Sequence, residues 1–428
     1  MKNRKRHKQL QTQASLKKVS ESTFNKSILP GGIRVVSEYI PHVRSVSLGF
    51  WVEVGTRDEA SEVNGISHFI EHMLFKGTKR RSAAEIARSL EDVGGTLNAF
   101  TSKELTCFYA HFLDNDLPLA VDVLSDMLIN SIFAPEEIRK EKDVILEEIK
   151  SMDDVPEERI HDYFYQDLFG DHPLSRPTLG TRESLKKISR KAALDYMKAN
   201  YTRNRLVVAA SGNIRHQDLC DLLAGQFDGW DNHSVRTLTP PRPNGSYQKV
   251  REEDVAQAHI CLGTQAFAFS DERKYAALIM NTILGAGMGS RLFQSVREMH
   301  GLCYSIYSYL EFMADTGVFC IYTGTDKDNI DLALELIHQE LEKLKTEGLD
   351  KDELQRTKSQ LKGNLMLSLE STSSRMNRLA KMEIYLQEYY TLDDVLKGIE
   401  NVTQDDVLEV SNDLLSADRL VTSMIKPK

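Results

Sequence analysis

Residues 107–149 read CFYAHFLDNDLPLAVDVLSDMLINSIFAPEEIRKEKDVILEEI, and residues 318–365 read VFCIYTGTDKDNIDLALELIHQELEKLKTEGLDKDELQRTKSQLKGNL. Each stretch begins with an apolar strand pattern, passes through a turn rich in Asp and Asn into a helix, and reaches a second helix after a short loop. Ala120 of the first stretch aligns with Ala333 of the second. This internal repeat predicts an α+β fold of two homologous domains, each with a mainly antiparallel sheet and helices packed on one face.

A polar stretch with several prolines and no periodicity separates the two halves. We therefore predict a first domain at 25–230, a linker at 231–247 and a second domain at 248–428. Residues 1–24 carry seven Lys or Arg before the first acid, Glu21. Because an apolar face is thin there, we favour a basic disordered tail, and a mitochondrial transit peptide stays open as the alternative.

The composition is that of an ordinary soluble protein, with 41% hydrophobic and 27% charged residues among 428. The net charge of −9 argues against a nucleic-acid partner. No apolar run approaches the roughly 18 residues that a membrane span needs. The cysteines form no Cys-x-x-Cys pair, so we expect buried small hydrophobes in a reducing compartment, not a disulfide frame or a zinc–thiolate site. The cysteines are Cys107, Cys220, Cys261, Cys303 and Cys320.

Two histidines stand four residues apart within NGISHFIEHMLFKGT, residues 64–78. Four residues turn a helix by about 400°, so His68 and His72 share one face, and Glu71 borders that face. The order His-x-x-Glu-His offers the groups of the zinc-protease motif His-Glu-x-x-His on a helix that runs the opposite way. The segment therefore predicts a metal-binding helix.

The ends of this helix are predicted from residues that commonly cap helices. Asn64 and Ser67 are candidate N-caps, and Gly77 is placed to stop the helix. An apolar stripe would bury the side opposite the histidines. Its members are Phe69, Ile70, Met73 and Leu74.

A second helix, from Pro135, has two glutamates within an inward-facing stripe. The stripe reads Ile138, Glu141, Ile145, Glu148, Met152, and its counterpart in the second half reads Leu354, Thr357, Leu361, Asn364, Ser368. A buried charge without a partner destabilises the fold by roughly several kcal/mol. Because the histidines and the inward acids occur together in one half only, the repeat predicts a single metal site.

Catalytic zinc takes three protein ligands and keeps one position open. We assign His68, His72 and Glu148 as the ligands of a Zn²⁺ ion. Glu71 is the candidate general base for water attack on a carbonyl, and Glu141 is the candidate partner that orients a ligand by hydrogen bonding.

The chain from Leu29 onward resembles the pitrilysin/insulinase family of zinc peptidases. The resemblance is carried by GTRDE (55–59), NGISHFIEHMLFKGT, GGTLNAFTSKELT (94–106) and EKDVILEEI (141–149). It is nearest to the two-domain bacterial members and to the catalytic subunit of the mitochondrial processing peptidase. The family pattern places the third ligand on Glu148, as the helix face does.

The resemblance also implies substrate-binding residues. In the family, peptides add as a strand at positions that match Asn98 and Ala99. An Arg and a Tyr that match Arg297 and Tyr304 reach across a chamber between the domains toward the substrate backbone near the zinc, where they are suited to stabilising an oxyanion.

The function implied is a zinc metalloendopeptidase that cleaves unfolded or presequence-like peptides inside the chamber. We expect peptide substrates, no nucleic acid or membrane partner, a homodimer and a cytoplasmic location, with the mitochondrial matrix as the alternative. Two other functions stay open. One is a non-catalytic scaffold like the family's members in respiratory complexes, and the other is the catalytic half of an obligate heterodimer.

Overall fold

The computed structural model describes residues 23–230, 233–243 and 245–428, and it contains two separate β-sheets. The strands of the first sheet are β1 (Thr23–Ile28), β2 (Arg34–Tyr39), β3 (Ser45–Val52), β4 (Thr96–Thr101), β5 (Thr106–Leu113) and β6 (Leu206–Gly212). Their spatial order is β1-β2-β6-β3-β5-β4. Neighbouring strands are antiparallel except β2 and β6, and β4 forms one edge of the sheet.

The second sheet repeats this topology. Its strands are β7 (Tyr247–Glu253), β8 (Ala258–Ala266), β9 (Cys303–Phe312), β10 (Gly317–Thr325) and β11 (Val421–Pro427). Their order is β7-β11-β8-β10-β9, and only β7 and β11 are parallel. Taken in chain order, β7 to β11 occupy the places of β2 to β6, so β1 is an addition to the first sheet. The predicted α+β class with two homologous, mainly antiparallel sheets is confirmed.

Helices follow the strands in the same order in both halves. In the first half they are α1 (Ile66–Leu74), α2 (Ala83–Glu91), α3 (Leu117–Asn130), α4 (Pro135–Asp153), α5 (Pro156–Phe169), α6 (Arg182–Lys187), α7 (Arg190–Asn200) and α8 (His216–Leu223). In the second half they are α9 (Lys274–Gly285), α10 (Ile330–Thr346), α11 (Lys351–Ser368), α12 (Thr372–Tyr385), α13 (Leu392–Asn401) and α14 (Gln404–Leu414). A π-helical turn at Phe293–Met299 precedes β9.

Each half contributes one helix that packs on the sheet of the other half. On the face of the first sheet away from its main core, Met376 and Leu379 of α12 pack with Trp51. On the corresponding face of the second sheet, Phe164 of α5 packs with Cys320. These helices are added to those predicted on one face of each sheet. They explain why β6 and β10 are buried along their whole length, because such strands need cover on both faces.

Residues 233–243 and 245–246 of the linker form no helix or strand, yet side-chain contacts hold this segment in place. Arg236 contacts Asp58, with Nε to Oδ1 at 2.8 Å, and the carbonyl of Thr239 accepts a hydrogen bond from Arg57. Tyr247, assigned to the linker, begins β7. Most of the predicted tail lies outside the described residues, but its last two residues belong to β1. The ring of Phe24 stacks on that of Tyr389.

All five cysteines are free, and Cys303 alone among them is only partly buried. The expectation of buried thiols without a disulfide frame therefore holds for four of the five. Across the described residues, no helix combines the length and apolarity that would let it cross a membrane.

Candidate metal centre

Helix α1 begins at a glycine and is held by a distant carboxylate. The predicted caps Asn64 and Ser67 are wrong, because the N-cap is Gly65 and no side chain of the helix itself caps it. Gly65 has φ of 90°, a left-handed conformation that favours glycine. The carboxylate of Glu59 accepts hydrogen bonds from Gly65 N at 2.7 Å and from Ser67 N at 2.9 Å. A buried acid supplied by the preceding segment thus replaces the local cap.

The apolar stripe of α1 is buried as predicted, and the polar groups lie on the other side. The side chains of His68 and His72 keep exposed fractions of 12% and 17%. The helix ends at Leu74, and Gly77 follows with φ of 110°. The first half therefore presents its two histidines from a well-anchored helix toward α4.

His68, His72 and Glu148 meet at one point. Their possible ligand atoms all lie within 4.8 Å of one another. His68 Nε2 is 3.8 Å from Glu148 Oε2, and His72 Nε2 is 3.6 Å from Glu148 Oε1. Two imidazoles and one carboxylate form a donor set that suits a catalytic zinc ion.

The polar atoms of this group also lack the partners that buried atoms normally have. Glu148 Oε2 and His68 Nδ1 are buried and form no hydrogen bond. Burial and the neighbouring His72 lower the pKa of His68 to about 3, so the imidazole is neutral and keeps a lone pair. A divalent cation between the three residues would satisfy Glu148 Oε2 and the Nε2 atoms of His68 and His72 that face it, and we conclude that the residues fit the ion.

Glu141 lies behind the second histidine. His72 Nδ1 is 3.1 Å from Glu141 Oε2, and Lys76 Nζ is 2.9 Å from Glu141 Oε1. A carboxylate at Nδ1 favours the tautomer that leaves Nε2 free to bind a cation. Lys76 balances the charge of this buried acid, and the sequence reasoning had not noticed it, although it stands four residues after His72.

Glu71 borders the group and is tied to the edge strand. Its Oε2 accepts a hydrogen bond from Thr101 Oγ1 at 2.5 Å. Burial raises the pKa of Glu71, while the Thr101 hydrogen bond and His72 oppose that shift. Thr101 is the last residue of β4, so the carboxylate stands where the sheet edge meets the histidines. The segment GGTLNAFTSKELT contains Thr101, but sequence reasoning named only Asn98 and Ala99 within it.

Asn98 and Ala99 lie in β4, which among the described strands pairs only with β5 and is therefore an edge strand, as peptide addition at these positions requires. Asn98 is exposed and Ala99 is partly buried. The Ala99 N–H donates to Asn98 Oδ1 at 2.8 Å. A local hydrogen bond thus covers a donor that belongs to the edge of the sheet.

Arg297 and Tyr304 contact each other in the second half. The guanidinium carbon of Arg297 lies 4.9 Å from the ring centroid of Tyr304 and 4.6 Å from that of Phe293. Tyr304 is 79% exposed. Among the described residues, no hydrogen bond, ion pair or ring contact joins either side chain to the histidine group.

The segment GTRDE has structural roles that the sequence reasoning missed. Arg57, only 5% exposed, binds Asp315 of the second half, with Nη1 to Oδ1 at 2.7 Å. It also contacts Glu104 Oε1 at 2.5 Å. Glu104 in turn accepts a hydrogen bond from Ala314 N at 2.9 Å. This buried network fixes the two halves to each other. The three charged residues in GTRDE were the sequence signal that could have revealed it.

Comparison with known proteins places this chain in a family. Residues 34–182 match the family model "Insulinase (Peptidase family M16)", and residues 187–361 match "Peptidase M16 inactive domain". A protein of Streptomyces coelicolor named an uncharacterized zinc protease is 41% identical, over 92% of this chain and 87% of its own length. The Bacillus subtilis protein YmxG, with the same description, is 41% identical over 90% of this chain and 94% of its own.

Solved structures share the fold. A crystal structure of a protease from Helicobacter pylori superposes with a TM-score of 0.89 at 22% identity, covering 95% of this chain and 100% of that one. A structure from Pseudomonas fluorescens, titled as a peptidase M16 inactive domain, gives 0.89 at 20% identity, covering 95% and 98%. The fold and the site define a metal-dependent peptidase of two similar halves. The chain belongs to the insulinase family, peptidase family M16; it is a protease, and its cofactor is zinc.

Proposed function

We propose that the protein is a zinc metalloendopeptidase that cleaves unfolded or presequence-like peptides, with His68, His72 and Glu148 as the ligands and Glu71 as the general base. The observation that carries the proposal is the meeting of the three donors within 4.8 Å beside a carboxylate anchored to a sheet edge. Those donors come from two helices far apart in sequence, α1 and α4.

The residues divide the work of hydrolysis. A bound zinc ion supplies Lewis acidity, which polarises a carbonyl and lowers the pKa of water. Glu71 accepts the proton of the attacking water and delivers it to the leaving amine. Thr101 fixes the orientation of Glu71 through its hydrogen bond, and Glu141 fixes that of His72.

The edge strand β4 provides the substrate platform in this proposal. A peptide that adds to β4 by backbone hydrogen bonds runs past Glu71, because Glu71 is bonded to the end of the same strand. Backbone recognition of this kind needs an extended, unfolded substrate and demands little of its sequence. Binding replaces the hydrogen bond between Ala99 N–H and Asn98 Oδ1 with one to the peptide.

Arg297 and Tyr304 are proposed to contact the peptide backbone from the second half. The exposure of Tyr304 leaves its hydroxyl available to a substrate, and the adjacent guanidinium favours a developing negative charge. The chamber between the halves is part of the same proposal.

Cleavage of a basic, unfolded presequence-like peptide, followed by mass spectrometry, tests the proposal. We expect the zinc-loaded chain to cut the peptide and Glu71→Gln to be slower by about 10²–10⁴, the contribution of a general base. Glu147→Gln is the matched control, because Glu147 is exposed and pairs with Lys150. Equal rates for wild type and Glu71→Gln would place the activity elsewhere. Cleavage only after a partner chain is added would indicate an obligate heterodimer. No cleavage with or without a partner chain would indicate a non-catalytic scaffold.

We further propose that the chain forms a homodimer and acts in the cytoplasm, without nucleic-acid or membrane partners. Size-exclusion chromatography with light scattering tests the assembly, and a mass of one chain across the concentration range would remove the dimer.

A further inference from the structure

We infer that the protein has a second zinc site, formed by His161, Cys261 and Cys320, that ties the first half to the second. This site is separate from the histidine group on α1 and does not depend on the proposed peptidase activity. The ligand atoms of its three residues all lie within 4.8 Å of one another.

The topology brings these residues together although they are far apart in sequence. Cys261 lies in β8 and pairs with Tyr322 of β10, while Cys320 stands two residues before Tyr322. The two thiols are therefore diagonal neighbours on one face of the second sheet. His161 reaches the same face from α5, which belongs to the first half. This site departs from the expectation that the cysteines form no zinc–thiolate site, which rested on the lack of Cys-x-x-Cys spacing; these thiols come from neighbouring strands instead.

The distances suit a small soft or borderline cation. Cys261 Sγ is 3.6 Å from His161 Nδ1. Zn–S bonds of about 2.3 Å and Zn–N bonds of about 2.0 Å at tetrahedral angles separate sulfur from nitrogen by about 3.5 Å, close to this distance. The Cys320 thiol lies against Cys261, His161 and Tyr309. The Tyr309 hydroxyl, 3.0 Å from Nδ1, is a neighbouring oxygen for the fourth position.

Three polar groups of this cluster surround the two ring nitrogens of His161. His161 Nδ1 faces both the Tyr309 hydroxyl and the Cys261 thiol, but a ring nitrogen has either one proton or one lone pair. Tyr307 Oη, 3.2 Å from Nε2, fixes the other side of the ring. That contact resembles the outer partner that orients a metal-bound imidazole through its second nitrogen.

A divalent ion would balance the charge that this site develops on binding. Cys261 and Cys320 are both fully buried, so their thiols become thiolates there only with a cation beside them. With Zn²⁺ the two thiolate charges are neutralised, and binding releases two protons to the solvent. Two thiolates and an imidazole form a set found in zinc sites. Because the imidazole comes from the exchanged helix α5, the ion holds that helix on the second sheet.

Cobalt binding distinguishes the two sites by their ligands. The chain is stripped of metal with a chelator and titrated with Co²⁺ alone. Only the second site contains sulfur, so we expect a thiolate-to-cobalt charge-transfer band in the near ultraviolet and two cobalt ions per chain. The His68→Ala/His72→Ala double variant keeps the band and binds one ion. Cys261→Ser and Cys320→Ser each lose the band and also bind one ion.

Cys303→Ser is the matched control, because Cys303 lies outside the cluster, and it keeps the band. Wild type without a charge-transfer band, or with a band that survives both cluster substitutions, would overturn the inference. X-ray absorption of the zinc-loaded wild type covers the case in which the cysteine variants fail to fold. Sulfur at about 2.3 Å from zinc supports the site, and a shell of nitrogen and oxygen only rejects it.

Discussion

Helices α4 and α11 occupy equivalent places in the two halves, yet they differ in what they turn inward. Ile138 and Leu354 are buried in both helices at corresponding positions. At the next stripe position the first half has Glu141, whose carboxylate needs His72 and Lys76 from α1 and the residues that follow it. The second half has Thr357, whose hydroxyl donates to the Glu353 carbonyl of its own helix at 2.8 Å.

The difference shows that the fold does not require buried acids. A threonine at this position hydrogen-bonds within its own helix and needs no partner from another element. A glutamate there requires two partner residues placed on another element. At the second acidic position, Glu148 faces the histidines and Asn364 is exposed. The carboxylates of α4 therefore exist for the site and not for the architecture.

The largest effect is expected when α4 is converted toward α11 at the ligand position. Glu148→Asn removes one of three donors, so we expect zinc at the histidine group to be lost and cleavage to fall by more than the roughly 10²–10⁴ assigned to the general base. Metal analysis and peptide cleavage measure the two effects. Glu147→Asn, one residue away and exposed, should change neither. A Glu148→Asn chain with full activity would exclude Glu148 as a ligand.

The converse substitution tests the cost of a buried acid in the second half. Thr357→Glu places a carboxylate at a buried position that the present hydroxyl satisfies within its own helix, so we expect the free energy of unfolding to fall by about 3–5 kcal/mol. Chemical denaturation measures the change. Thr357→Val, which loses only the hydroxyl, should stay within about 1 kcal/mol. If the glutamate variant were equally stable, the contrast between the two helices would say nothing about function.

Sequence reasoning reached the class of fold, the repeat and the residues of the candidate metal centre, because each rests on a local pattern. Helix spacing put His68 and His72 on one face, and the repeat exposed Glu148 and Glu141 as acids without a counterpart. Sequence reasoning did not predict contacts between distant segments. The exchange of α5 and α12 depends on packing between the halves, and no periodicity tells which sheet a helix covers. The capping of α1 by Glu59 and the meeting of Cys261 with Cys320 are likewise tertiary.

The anchoring of α1 offers a test by pH, because Glu59 is buried, whereas Asp271, which accepts from Arg273 N at the start of the corresponding helix α9, is partly exposed. Burial raises the pKa of Glu59 to about 7, against hydrogen bonds from Ser67, Gly65 and Asn64 that lower it. The folded chain then holds a proton that the unfolded chain has released, so the free energy of unfolding falls as the pH rises from about 4.5 to about 7. At about 1.4 kcal/mol per pKa unit, the loss is at most about 3.5 kcal/mol.

Denaturation of wild type and Glu59→Gln near pH 4.5 and near pH 7 measures this contribution, since other titrating groups cancel in the difference between the chains. Glutamine does not titrate, so the stability of wild type relative to the variant should decrease toward the higher pH. A difference that is constant, or that grows in favour of wild type, would show that the hydrogen bonds to the carboxylate outweigh its burial.

The smallest effect is expected at Glu141, which orients a ligand and does not bind the metal itself. Glu141→Thr reproduces the residue of α11, and the loss of an outer partner typically lowers metal affinity by about 10–100-fold. Competition with a chelating dye measures zinc affinity, and Asp143→Thr, at an exposed position of the same helix, is the control. The substitution also leaves Lys76 without its carboxylate. Adding Lys76→Met separates the two causes. If a stranded lysine charge repels the cation, the second substitution restores affinity; if His72 has lost the acceptor that sets its tautomer, affinity stays low.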